Sequence, residues 1–407
     1  MEALSGAPVK EDGGPMPSAM KLEQRLDTVL HGGIPDRVPC IPLLYYFAAH
    51  YTGTPYRDFL TDMATYRAAM DACFWEVGPW DAMYPLPTTM DAPDFDITWG
   101  AGVGMKPALA AGGDGDELVM QLPETETLME AGDYACIIAN RFPGKIQPLL
   151  RFMGELVARL SEVEADTGFW AGRFVPHLFR LAARWVFELE RWRVRGVPFF
   201  ITFSLEAPFD TFSMARGLME FSMDLHRRGE EIREASLRLS RGVALAARLS
   251  CAATRTRRFL LLVHRSSNDF ISSVQFERYA YPALKHIAGY LDSHGILFGM
   301  HCDGNWDLNL ELMTDLPADT YFQFDGSTDI FRARRVLGGR YTIMGDVPPD
   351  MLTIGSQSEV EEYCRRLIRE VGREGRFILS SGCEVPSNAR PENVRAMIGT
   401  AKSHGRY

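Results

Sequence analysis

Two short segments concentrate side chains able to do acid/base or metal chemistry: Met300-His301-Cys302-Asp303-Gly304-Asn305 and Ser380-Ser381-Gly382-Cys383-Glu384-Val385-Pro386. Imidazole, carboxylate and thiolate are zinc donors, and the first two also carry protons in general acid/base catalysis. Each segment follows an apolar run, 295–300 (GILFGM) and 376–379 (RFIL), of a length that suits a strand buried on both faces. Side chains alternate along a strand, so His301 and Asp303 share a face while Cys302 points the other way.

The elements that must position these residues follow from the same pattern repeated. Runs 319–324 (DTYFQF) and 341–344 (YTIM) lead into Asp325-Gly326 and Gly345-Asp346. Upstream, 258–263 (RFLLLV) leads into His264 and 199–205 (FFITFSL) into Glu206, while 38–44 (VPCIPLL) leads into Tyr45 and 80–86 (WDAMYPL) is a further candidate. Helical stretches separate them, as in 358–371, where Val360, Tyr363, Leu367 and Val371 recur at helical spacing. Eight strand candidates alternating with helices predict an α/β fold, a (β/α)8 (TIM) barrel, with its active site where strands run out into the following loops. Tyr45, Glu206, His264, His301, Asp303, Asp325, Asp346 and Cys383 are then expected at one mouth. Plainer roles compete: Asp303 could cap a helix, Glu206 before Ala207-Pro208 could anchor a turn, and Asp325 and Asp346 beside glycines suit turns. His264 could orient other groups, and Trp75, Trp80, Tyr84 and Phe95 suit a core.

Composition narrows the class. The 407 residues carry a net charge of -10 with both signs interspersed, which argues against nucleic acid as a partner. The basic run 255–258 (RTRR) suits a solvated helix end. No apolar stretch approaches the roughly 20 residues needed to span a bilayer, and the N-terminus shows no secretory pattern. Seven scattered cysteines form no disulfide framework, so a cytoplasmic location is expected. Residues 1–19, rich in Gly, Pro, Ser and charge, are expected to be a disordered tail, and 20–407 one barrel domain that opens with a helix over 21–30. Segment 110–118 (AAGGDGDEL) suits a loop. Helical patterns at about 124–195, including 147–160 and 176–195, predict an insertion that caps the mouth or builds a homodimer surface.

The sequence also resembles the uroporphyrinogen decarboxylase (URO-D) superfamily. The similarity is carried by Arg25-Leu26 with Pro35-Asp36-Arg37-Val38-Pro39, by 264–271 (HRSSNDFI) with Phe276, Tyr279 and Pro282, and by the 301–305 segment. Gly345-Asp346-Val347-Pro348-Pro349 and 379–386 with Pro391-Glu392-Asn393 extend it over most of 20–402. The resemblance implies a (β/α)8 barrel, in agreement with the strand count. Uroporphyrinogen decarboxylases place an arginine-rich motif after the first strand to hold the substrate carboxylates, whereas 42–50 here (PLLYYFAAH) has no arginine.

The sequence is closer to the branch similar to methylcobalamin:coenzyme M methyltransferases. There, zinc is held by a His-x-Cys motif and by the Cys of a Gly-Cys motif at the last strand. His301 and Cys383 match those ligands, and Asp303 stands where the family has cysteine. The resemblance thus implies a zinc site of His301 and Cys383, with Asp303 as the third ligand, while the strand-end positions at the mouth suggest catalytic roles for His264, Glu206 and Asp303 and substrate contacts from Tyr45, Asp325 and Asp346. Glu206, water or substrate would take a fourth metal position. It further implies methyl transfer between a small molecule and a corrinoid on a separate partner protein, since this chain lacks an Asp-x-His-x-x-Gly segment. The alternatives are a decarboxylase or lyase of porphyrin metabolism acting on a different acid through His301, Asp303 and His264, or a non-catalytic barrel that binds a corrinoid or tetrapyrrole.

Overall fold

The computed structural model describes residues 20–44, 46–84, 105–107, 119–121, 129–139 and 186–407. Six parallel strands lie side by side in chain order: β1 (Ser204–Glu206), β2 (Arg258–Val263), β3 (Leu297–Cys302), β4 (Tyr321–Phe324), β5 (Thr342–Val347) and β6 (Phe377–Ser381). Two extended segments complete the ring. Cys40 bridges Leu379 of β6 in parallel, the Asp81 amide donates to the Cys40 carbonyl at 2.9 Å, and Met83 bridges Phe199 just before β1. The eight pieces are those expected from the sequence, and they form a (β/α)8 barrel. A short antiparallel pair, Met105–Pro107 with Val119–Gln121, lies apart from it.

Alternation along the strands sorts side chains into two cores. Ile41, Leu43, Tyr84, Phe200, Leu260, Tyr321, Met344 and Ile378 fill the lumen, while Phe259, Leu261, Phe298, Met300, Cys302, Phe322, Ile343 and Leu379 face the surrounding helices. Gly299 is required where the lumen is tightest, because a Cβ there would lie 2.1 Å from the Tyr321 ring. That ring in turn donates its hydroxyl to the Phe259 carbonyl at 2.8 Å.

Helix α1 (Leu22–Leu30) closes the N-terminal end of the barrel. Its Leu26, Val29 and Leu30 are fully buried in the lumen core, each burial contributing about 1.5–3 kcal/mol. Around this plug Arg25 bridges Asp36 and Asp81, Arg37 bridges Asp81, and Asp81 accepts the Cys40 amide. Arg258 belongs to the same end. It is buried at the start of β2, donates to the carbonyls of Phe199 and Phe200 and pairs with Glu23 and Asp27, so it is not the solvated helix end that the RTRR run suggests. A guanidinium has enough donors to tie two backbone carbonyls and two carboxylates together.

The expected tail, the 110–118 loop, Phe95 and most of the 124–195 insertion, including 147–160, lie outside the described residues. Two parts of the insertion are described. Helix Asp133–Ile138 packs Tyr134 on Phe212, and a helical stretch at 186–194 lies against Met63–Glu76 through Arg67–Glu188 and Arg191–Asp71 pairs. This last stretch therefore belongs to the outer helical layer rather than to a cap. Trp75 is exposed, not core, whereas Trp80 and Tyr84 are buried.

Candidate active site

The C-terminal mouth of the barrel gathers five chemically active side chains into a chain of contacts. His301 ends the inward row of β3, which runs Leu297, Gly299, His301, and Asp303 continues it. Gly304 then turns the chain away at φ +80°, where a Cβ would meet Ser267 and Asp269 at 2.6 and 2.5 Å. His301 Nε2 lies 3.1 Å from Asp303 Oδ1 and 3.6 Å from Cys383 Sγ, which arrives on the loop after β6. From the other side His264 Nε2 contacts Asp303 Oδ2 at 2.9 Å, and its Nδ1 lies 3.0 Å from Glu206 Oε1. That last contact is off the hydrogen-bond direction, so both Glu206 oxygens and His264 Nδ1 lack a hydrogen-bond partner among the described residues; it acts as an ion pair.

Electrostatics follow from this packing. Burial opposes charge on both imidazoles, but Glu206 and Asp303 for His264, and Asp303 with Cys383 for His301, outweigh it and raise both well above the ordinary histidine value. Asp303 is desolvated, yet the two imidazoles hold it well below the usual carboxylate range. Glu206 is pushed up to about 7, chiefly by burial and against the pull of His264.

The donor set fits a divalent metal. One ligand atom each from His301, Asp303 and Cys383 lies within 4.8 Å of the others. A tetrahedral zinc with bonds of about 2.0–2.3 Å separates its ligand atoms by roughly 3.3–3.7 Å, close to the 3.1 and 3.6 Å found. Glu206 is not in that set, because the His264 ring stands between it and Asp303. Three protein donors would leave a fourth position open on a bound metal, as in catalytic rather than structural zinc sites. Binding there would displace the proton that His301 shares with its neighbours.

Other predicted residues lie elsewhere. Cys302 faces the outer core, with its thiol toward the Met300 carbonyl. Asp303 caps none of the described helices; the next one, Leu310–Met313, has Asn309 at its N-cap. Asp325 accepts from the amides of Gly304 and Ser327, holding the turn after Asp303, and lines a cleft of about 690 Å³ between its own loop and Pro349–Ile354. That cleft contains none of the five clustered residues. Asp346 is buried at the end of β5, where it accepts from the Tyr363 hydroxyl at 2.8 Å, so it addresses the helical layer rather than the cluster. Burial pushes its carboxyl up to about 7. Tyr45 lies outside the described residues.

Asp210 escaped the sequence reasoning. It sits in the first turn of helix α2 (Pro208–Arg216), fully buried, and its carboxylate accepts from the amides of His264, Arg265 and Ser266 and from the Ser266 hydroxyl at 2.6–3.1 Å. It fixes the backbone that presents His264. The available signal was the spacing Glu206-x-x-x-Asp210, two acids flanking the start of a helix.

The sequence profile described as Uroporphyrinogen decarboxylase (URO-D) matches residues 198–404, half of the chain and all of β1–β6 with their loops. The chain belongs to the URO-D family. Among solved structures this URO-D family member is similar to a methyltransferase from Methanosarcina mazei, with a TM-score of 0.61 and 14% sequence identity over 94% of this chain and 98% of that one. At that identity the likeness speaks for the fold. No curated protein matches the sequence significantly. Among the described residues, no helix is long and apolar enough to cross a membrane.

Proposed function

We propose that this chain is a metal-dependent methyltransferase or demethylase component, moving a methyl group between a small molecule and a corrinoid carried on a separate protein. The observation that carries the proposal is the convergence of His301, Asp303 and Cys383 at chelating distances in the mouth. Family membership and the methyltransferase fold neighbour support the choice of chemistry. Zinc bound by these three residues would act as a Lewis acid that lowers the pKa of a thiol, alcohol or amine held at the open position.

The chain's own residues then divide the work. Asp210 holds the His264 backbone in place, and Glu206 and Asp303 flank the imidazole so that it can hold a proton at either nitrogen. Held protonated by these carboxylates, His264 would take the proton that a methyl acceptor gives up only by passing its Nδ1 proton to Glu206, 3.0 Å away. Burial of Glu206 and His301 keeps water from competing with substrate for these contacts. The mixed donor set, with a carboxylate where thiolate is the family pattern, favours an acceptor atom harder than sulfur.

The test combines elemental analysis with a methylcobalamin assay. Purified protein should hold stoichiometric zinc and demethylate methylcobalamin, seen as a change in the cobalt spectrum, when a small acceptor is supplied. Formation of coproporphyrinogen from uroporphyrinogen would overturn the proposal. A second reading, a lyase using proton transfer alone, is favoured by the Glu206–His264–Asp303 row. It predicts turnover that survives a chelator.

A further inference from the structure

We propose that Gln323, held by Tyr84, forms a polar subsite in the barrel lumen that binds an uncharged oxygen acceptor, such as an ether, hydroxyl or carbonyl, on the small substrate. Gln323 lies in the middle of β4, where a strand buried on both faces ordinarily carries apolar residues. It is fully buried, and its side-chain carbonyl accepts from the Tyr84 hydroxyl at 3.1 Å. Among the described residues its Nε2 has no hydrogen-bond partner. A buried amide that leaves both hydrogens unpaired is costly unless a ligand or water completes it.

The register says where that amide points. Gln323 pairs with His301 on one side and with Met344 on the other, in a row that continues to Leu262 and Glu206 and, the other way, to Ile378. It has the same parity as Tyr321, which fills the lumen. Adjacent strands are about 4.8 Å apart, so the amide sits one strand from His301 and faces the same space. Tyr84 fixes the carbonyl end and thereby aims the NH2. The amide is a neutral donor with no charge to offset the desolvation of an anion, which favours an uncharged acceptor. Nε2 then acts as a specificity-determining donor beside the metal donors. The proposal rests on the methyl-transfer reading only for what the bound molecule undergoes.

The experiment compares two probes of equal length, 2-mercaptoethanol and 1-propanethiol, by calorimetric titration of the full chain and of Gln323→Leu and Gln323→Met. Each titration is run on zinc-loaded and on chelator-treated protein. The preference for the oxygen-bearing probe, taken as a ratio of affinities, should fall about tenfold in both variants, because a site built to hydrogen-bond an oxygen discriminates by loss of that bond. Zinc content should stay unchanged, since Gln323 is not a donor, and using two variants guards against one that fails to fold. An unchanged ratio in both variants, or no response to either probe in both preparations, would overturn the subsite. A ratio that falls as expected while zinc and methyl transfer are absent would leave the subsite standing and overturn the methyl-transfer reading alone.

Discussion

The two ends of the barrel bury similar charged groups in opposite ways. At the N-terminal end Arg25, Arg37, Asp36 and Asp81 saturate one another, the Cys40 amide completes Asp81, and none of these side chains keeps a buried polar atom without a partner. At the mouth both oxygens of Glu206, Nδ1 of His264 and of His301, the Ser267 hydroxyl and Nε2 of Gln323 are buried and, among the described residues, unsatisfied. A network that completes itself stabilises. One left incomplete is a place where a ligand, metal or water is expected. In a barrel this division matches the rule that the N-terminal face serves stability and the C-terminal face serves chemistry.

The contrast can be broken most severely at the closed end. Asp81→Ala should lower the unfolding free energy by about 3–5 kcal/mol, because it strands Arg25 and Arg37 beside a buried cavity. Denaturant titration measures this, and a loss under about 1 kcal/mol would mean that the network is not stabilising.

A second effect, confined to a pH window, is expected at Asp346. Its folded-state pKa is raised to about 7 from 3.8, so the folded protein holds this proton more tightly than the unfolded chain does. Stability should therefore fall as pH rises from about 4 to 7 and level off above, with a slope of at most about 1.4 kcal/mol per pH unit from this group. Asp346→Asn keeps an acceptor for Tyr363 and should flatten that segment of the curve. Unfolding followed at several pH values between 4 and 8 tests it, and parallel curves for the two proteins would refute the assignment.

The smallest stability change, with the largest functional one, belongs to the mouth. His301→Ala should abolish metal binding yet shift the unfolding free energy of the metal-free protein by only about 1 kcal/mol, since it deletes a group already short of partners. Cys302→Ser is the control that sharpens the comparison: it should keep its metal, because the thiol faces the outer core. Metal analysis of the two variants decides, and the reverse pattern would mean that the strand is registered the other way.

Much of this was legible in local pattern. Runs of four to seven apolar residues marked all eight barrel segments, and strand alternation put His301 and Asp303 on one face and Cys302 on the other, because both are properties of a few consecutive residues. Polar residues after the runs 199–205, 258–263, 295–300 and 376–379 marked the mouth. Local pattern misled where the same residue type serves two roles: Arg258, inside a basic run, is a buried clamp, and Asp346, beside a glycine at a strand end, meets Tyr363 of a helix instead of the cluster.

The amino-acid sequence by itself determined the strands, the face each side chain takes and the donor types at the strand ends. Only the tertiary structure decided which of those side chains meet. The insertion of His264 between Glu206 and Asp303, the pinning of that loop by Asp210 and the seat of Gln323 beside His301 depend on how neighbouring strands are staggered around a closed ring. Stagger is a property of the whole barrel, fixed when strand number, tilt and side-chain layers must close together, and no single segment encodes it.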